Sequence, residues 1–414
     1  MQNGSEQAGS VDAKRRQPGC RSATASAAEH MSKIDHPASI LPAAAACIAA
    51  VLACATALAA PAAAAETNIY SSYDESTLLP YVNAPAGDDD ITASPKLRLA
   101  FGGASHLATL DTGSTGIVVS AADVPDADGL PSSPGQLLYS SSGRVMVGRW
   151  VTTPVTIEGA DGTRLLVHAI PVLAVDRIEC RPDARDCRPE NAPKGVAVIG
   201  IGFGRETDGQ EQSTPDKNPF LAASLPGGRF RRGYVVTRTG VSVGLTATVA
   251  GSGFAFAKLS ADPDHPGDWS GAPFCVALNR TTRSACGASL VDTGVTGMYL
   301  TLPPAIAATS QATNAKGEPT LADGTEVAVA FPGGSPKAAG YSFTVGKVGD
   351  PLVPDFLILN TRRPEAFVNT GVRFLNGFDY LYDADGGFVG YRWTGRVDSA
   401  FGGAVPAAAS APGG

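Results

Sequence analysis

A twelve-residue pattern occurs twice in this chain. Ala-Thr-Leu-Asp111-Thr112-Gly113-Ser114-Thr115-Gly116-Ile117-Val118-Val119 is followed by Ser-Leu-Val-Asp292-Thr293-Gly294-Val295-Thr296-Gly297-Met298-Tyr299-Leu300, 181 positions on (292 − 111). Each copy reads as an apolar strand, a D-T-G-x-T-G turn and a second apolar run. An internal repeat of this length divides the chain into two similar units before any other feature is weighed. A lone D-T-G says little, because Asp, Thr and Gly are ordinary turn residues. Two copies in matched strand–turn–strand settings point to a site that needs two equivalent carboxylates.

Each half carries a second matched feature. Val198-Ile199-Gly200 ends a buried run 89 residues after Asp111 (200 − 111), and Val368-Asn369-Thr370-Gly371 ends one 79 residues after Asp292 (371 − 292). With these motifs the chain resembles the pepsin-like aspartic proteases, whose lobes each set a D-T-G loop against a later apolar strand ending in glycine. The resemblance covers about Lys96 to Trp393. It implies an all-β, bilobal pepsin-like acid protease fold: two homologous β-barrel-like lobes, residues 66–235 and 236–397, with a cleft between them. Abundant Gly (48) and Pro (31) and scarce amphipathic helical runs agree with an all-β chain rich in turns. Pro303-Pro304 is expected to open a short helix, and Pro219-Phe220-Leu221 sits where the family has a short helical segment. Phe374–Asp383 and Phe388–Tyr391 resemble the closing strands of the second lobe.

By the same resemblance Asp111 and Asp292 are the catalytic pair. Thr112 and Thr293 would hydrogen-bond across the lobe boundary, while Gly113 and Gly294 allow backbone N–H groups to approach the carboxylates. Ser114 matches the hydroxyl that binds the outer oxygen of the first Asp. Four positions depart from the family pattern. Val295 stands where a hydroxyl is expected, Asn369 and Thr370 occupy apolar positions, and Val118 replaces the usual tryptophan. Gln136–Tyr139, Ser140–Gly143 and Arg144–Val147 read as strand, turn and strand, a flap with Tyr139 as its tyrosine. Trp150 is the substitute candidate for the missing tryptophan partner.

Two carboxylates held about 3 Å apart do not both ionise cheaply, so they share one proton. Such a pair needs no metal and no cofactor, and it acts on a peptide or protein substrate through a water. Val295 cannot donate to Asp292, and on that ground the pair's apparent pKa is expected to be raised and the pH optimum mild. The rival expectation is a catalytically inactive binding or inhibitor protein on the same fold.

Other chemistries fit poorly. The chain has a net charge of −7 and no block of basic residues, so a nucleic-acid partner is not expected. Gly200-Ile-Gly202-Phe-Gly204 lacks the third glycine of a dinucleotide turn, where Arg205 stands. Asp383-Ala-Asp385-Gly-Gly reads as a hairpin turn rather than a calcium loop. H-E-x-x-H is missing.

Residues 1–65 read as a leader. A start at Met31, an apolar run from about Ile40 to Ala60 and Ala63-Ala64-Ala65 before Glu66 suit export with cleavage after Ala65. A signal anchor, or lipid attachment at Cys54, is the alternative. Cys20, Cys47 and Cys54 fall in the leader. Cys180 with Cys187 and Cys275 with Cys286 remain as two close pairs, expected as disulfides of an exported, periplasmic or secreted protein. Only 45 residues (111 − 66) separate Glu66 from Asp111, so activity without proteolytic activation is expected of a monomer with a disordered tail over 398–414.

Overall fold

Strict alternation of apolar and polar residues makes one-sided strands of the segments around each D-T-G. In Lys96–Phe101, Leu97, Leu99 and Phe101 are buried while the residues between them are half-exposed. Thr115–Ser120 is buried on both faces, with the apolar run Ile117-Val118-Val119 at its centre. The computed structural model describes residues 68–185, 187–225, 227–281, 283–331 and 339–397. The leader with its three cysteines and the tail from residue 398 lie outside the described residues.

The described residues form an all-β protein with its sheets arranged in two lobes and a third sheet that both lobes share. The N-terminal lobe is an eight-stranded sheet in the order Ser132–Tyr139, Arg144–Glu158, Lys96–Phe101, Ala104–Asp111, Ala197–Ile201, Thr115–Ser120, Arg164–Cys180, Glu190–Asn191. The two long strands Arg144–Glu158 and Arg164–Cys180 also pair with each other, which closes the sheet on itself. The C-terminal lobe is a seven-stranded sheet built around Ser284–Leu290, Ala366–Asn369 and Met298–Thr301. The third sheet has six strands, among them Thr77–Pro80, Gly233–Val236 and Gly240–Val243 from before the second D-T-G, and Phe378–Asp383 and Phe388–Trp393 from the end.

Phe378–Asp383 and Phe388–Trp393 therefore close the shared sheet rather than the second lobe. The physical reason lies in their partners: Phe378–Asp383 pairs with Gly233–Val236, and Phe388–Trp393 with Phe254–Lys258. Position 235 itself lies inside a strand of this sheet. Arg231 and Asp383 form an ion pair at 2.7 Å with the carboxylate fully enclosed, and Tyr70 donates to the same carboxylate at 3.2 Å. The expected short helix is Pro304–Ala307. The expected helical segment at Pro219–Leu221 is instead a turn, and a 3-10 turn precedes it at Pro215–Lys217.

One apolar core runs through both lobes and the shared sheet, with Phe331, Phe374, Phe378 and Tyr391 packed ring to ring. Each such side chain contributes about 1.5–3 kcal/mol by leaving water. Both cysteine pairs are disulfides. Cys180–Cys187 closes the loop beyond strand Arg164–Cys180, and Cys275–Cys286 joins directly opposed residues of neighbouring strands.

The two lobes present their D-T-G loops by one device. Ala197–Ile201 lies between Ala104–Asp111, to which it is parallel, and Thr115–Ser120, to which it is antiparallel. Ala366–Asn369 lies in the same way between Ser284–Leu290 and Met298–Thr301. The chain leaves one side of the middle strand, forms the loop and returns along the other side. Glycine is needed where the middle strand passes beneath the return. A methyl on Gly200 would lie 2.7 Å from the Gly116 carbonyl oxygen, and one on Gly371 2.4 Å from that of Gly297.

Candidate active site

The loops interlock. Thr112 N–H donates to Thr293 Oγ1 at 3.1 Å, and Thr293 N–H donates to Thr112 Oγ1 at 3.0 Å. Each hydroxyl then donates onward to the opposite strand, Thr112 to the Val291 carbonyl at 2.5 Å and Thr293 to the Leu110 carbonyl at 2.7 Å. Both threonines are buried, so every donor in this cross-brace needs its partner. A missing one costs about 1–3 kcal/mol.

This brace seats each aspartate against the other loop. A methyl on Gly113 would lie 2.5 Å from both carboxylate oxygens of Asp292, and one on Gly294 would lie 2.5 Å from Asp111 Oδ1. Glycine is required there by closeness of approach. Each aspartate also accepts from the backbone of its own loop, Asp111 Oδ1 from Gly113 N–H at 2.7 Å and Asp292 Oδ1 from Gly294 N–H at 2.8 Å. Asp111, Thr112, Gly113, Ser114, Asp292, Thr293 and Gly294 are thus brought together in one constellation at the foot of a cleft of about 660 Å³.

The remaining oxygens are served differently. Ser114 Oγ donates to Asp111 Oδ2 at 2.5 Å. Val295 donates nothing to Asp292, and Asn369 takes over: its Nδ2 donates to Asp292 Oδ2 at 2.5 Å. The amide is aimed by its other end, Asn369 Oδ1 accepting from Gly371 N–H at 3.1 Å. The departure at Asn369 therefore compensates for the departure at Val295. Asp292 is raised to about 7 by burial and then by the charge of Asp111, while the Asn369 donor, the Gly294 N–H and the charge of Arg205 pull it down. The direction matches the sequence expectation, but its cause is burial rather than a missing donor.

Tyr139 ends the first strand of the hairpin formed by Ser132–Tyr139 and Arg144–Glu158, paired with Arg144 next to the turn, and it lines the cleft with both aspartates. Its hydroxyl is enclosed and has no hydrogen-bond partner among the described residues, and burial holds its pKa well above the ordinary phenol value. Trp150 does not serve it. Trp150 Nε1 donates to Gln212 Oε1 at 2.6 Å, because the indole points along the hairpin's inner face into an apolar cluster with Leu137, Met146 and Leu173. The hairpin tip is tied down on several sides. Arg181 and Arg185 donate backbone N–H groups to the Gly143 and Ser142 carbonyls at 2.9 and 3.1 Å, from inside the loop closed by Cys180–Cys187. Tyr299, of the C-terminal lobe, donates to the Ser141 carbonyl at 3.1 Å. Cys275–Cys286 has no part in the cleft.

Arg205 was missed as a site residue by sequence reading. It follows Gly204 in a turn and is buried, and its Nε donates to the Gly113 carbonyl at 2.8 Å. A charged residue inside a glycine-rich turn directly after the buried 197–201 strand was the available signal.

No protein-family model matches the chain, and no curated protein does. Among solved structures it is similar to an aspartic proteinase from Irpex lacteus, with a TM-score of 0.48 and 14% identity, covering 78% of this chain and 98% of that one.

Proposed function

We propose that this chain is an aspartic endopeptidase in which Asp111 and Asp292 activate a water against a peptide bond. The observation that carries the reading is the reciprocal seating of the two carboxylates, each against the opposite loop's glycine and each held by two donors. Like charges this close favour a single proton shared by the pair, and we assign it to Asp292, whose carboxyl burial and the charge of Asp111 push up. Asp111 takes a proton from the water as its oxygen attacks the substrate carbonyl carbon. Asp292 gives its proton to the carbonyl oxygen, which becomes a hydroxyl on a tetrahedral carbon. Collapse breaks the C–N bond as Asp111 gives its proton to the leaving amine and Asp292 takes one back from a hydroxyl of the tetrahedral carbon, so the pair regains its starting state. The substrate lies extended in the cleft beneath the Tyr139 hairpin, bound in the manner of an added strand.

Two disulfides suit an exported protein, since such bonds persist in oxidising compartments. No helix among the described residues is long and apolar enough to cross a membrane. The test is cleavage of a mixed peptide library from pH 3 to 7 by wild type, Asp111→Asn and Asp292→Asn. Cleavage by wild type that either substitution lowers by at least about 10²–10⁴-fold supports the reading. Folded wild type that cuts nothing replaces it with a binding or inhibitor protein on the same fold.

A further inference from the structure

The wall of the cleft is cationic although the chain as a whole is acidic, at −7. Arg144, Arg185, Arg205 and Lys316 line it, and among the described residues Glu318 is the acidic lining residue outside the aspartate pair. Arg185 is occupied at the rim, 3.8 Å from Glu318 and stacked over the Tyr299 ring. Arg205 lies deeper, with its side chain 7% exposed.

A guanidinium offers five N–H donors in a planar fork. Arg205 uses Nε on the Gly113 carbonyl and one Nη on Asp208, and its other Nη has no partner among the described residues. Asp208 is itself shared, accepting from Ser140 Oγ of the hairpin tip at 2.7 Å. Burying a cation is costly unless it is paired, and a half-exposed, shared carboxylate is a weak counterion. The guanidinium lies against Gly113, two residues from Asp111, lines the cleft, and is near enough to Asp292 for its charge to act on it. An extended substrate advances about 3.3 Å per residue, so this position meets a side chain within about two residues of the bond being cut.

We propose that Arg205 is a specificity-determining residue that takes an Asp or Glu side chain of the substrate beside the scissile bond, so that the cleft selects acidic peptides. The carboxylate would receive the unused Nη in a charge-assisted bond that a lysine or an amide in the substrate does not reproduce. This rests on the peptidase reading given above.

The test uses the purified full-length chain and two probe sets. One is a set of cleavable peptides carrying Glu, Gln or Lys at single positions around the cut. The other comprises the same peptides with a non-hydrolysable hydroxyethylene link, followed by calorimetry. Glu is expected to give about tenfold higher kcat/KM and about tenfold lower Kd than Gln, with Lys weaker still. Arg205→Gln is expected to bring the Glu-to-Gln ratio near one. Asp208→Asn, which leaves Arg205 in place and removes its competitor, is expected to raise that ratio and guards against misfolding of the first variant. Equal handling of Glu and Gln by wild type overturns the inference. So does an unchanged ratio in Asp208→Asn or in folded Arg205→Gln. Tighter binding of the Glu analogue without any cleavage refutes the peptidase reading and leaves the acidic site standing. Cleavage without acidic preference refutes the acidic site alone.

Discussion

In the first half, Asp111 takes its side-chain donor from Ser114, three residues along its own loop. In the second half, Asp292 takes it from Asn369, 77 residues away on the middle strand. The backbone around both is the same: equivalent glycine N–H donors, reciprocal threonines and equivalent close approaches at Gly200 and Gly371. The difference separates two kinds of constraint. Steric fit of backbone against carboxylate leaves no alternative to glycine, so it is repeated. A hydrogen-bond donor need only reach the oxygen, so it can come from any element that packs nearby. Asn369 holds the register position that Val198 holds in the first half: Val198 faces Thr109 across the parallel pair, and Val368 faces Ser289 one step before Asn369 faces Leu290.

The comparison can be broken at its common part first. Gly113→Ala and Gly294→Ala each push a methyl into the opposite carboxylate, and each is expected to lower kcat/KM by roughly 10²-fold while near-UV dichroism stays native. An alanine variant that retains full activity in either loop would show that the seating is looser than drawn.

The unlike donors come next. Asn369→Val removes the group that favours ionised Asp292, so the alkaline limb of the pH–rate profile is expected to move up from about 7, by up to roughly one unit. Adding Val295→Ser to that variant returns a hydroxyl to the position equivalent to Ser114 and should move the limb back. A profile indifferent to both changes would mean that Asn369 orients the loop without touching its titration.

A smaller effect sharpens the symmetry of the brace. Thr112→Val and Thr293→Val are each expected to cost about 1–3 kcal/mol in denaturant melts. The double variant should cost less than the sum, because the two hydroxyls meet each other's backbone N–H.

The smallest expected effect concerns a carboxyl that has no counterpart in the second half. Glu206 follows Arg205, both its oxygens are enclosed with no close hydrogen-bond donor among the described residues, and burial followed by the neighbouring Asp268 raises it to about 7. A carboxyl whose folded pKa lies above its unfolded value contributes stability below the unfolded value and loses it as pH rises through about 7. Tm is therefore expected to fall from pH 5 to 8, and Glu206→Gln should flatten the fall.

The two D-T-G loops, the Val198-Ile199-Gly200 strand, the hairpin with Tyr139 and both disulfide pairs were legible in the chain, because each is a local pattern of strand, turn and glycine or a short loop closure. The same local reading gave Phe374–Asp383 and Phe388–Tyr391 to the second lobe, whereas the strands they hold pair into the shared sheet, since their composition marks them as strands without naming their partners. It also took Asn369 for a defect, when packing turns that residue toward the very oxygen that Val295 leaves unserved.

Sequence by itself determined that two equivalent aspartates stand on two similar half-chains, because the duplicated motif carries its own backbone geometry. Only the tertiary structure decided which groups attend them. Arg205 reaches Gly113 across 92 residues and Asn369 reaches Asp292 across 77. Donors at such separations are chosen by how strands pack and not by any spacing along the chain.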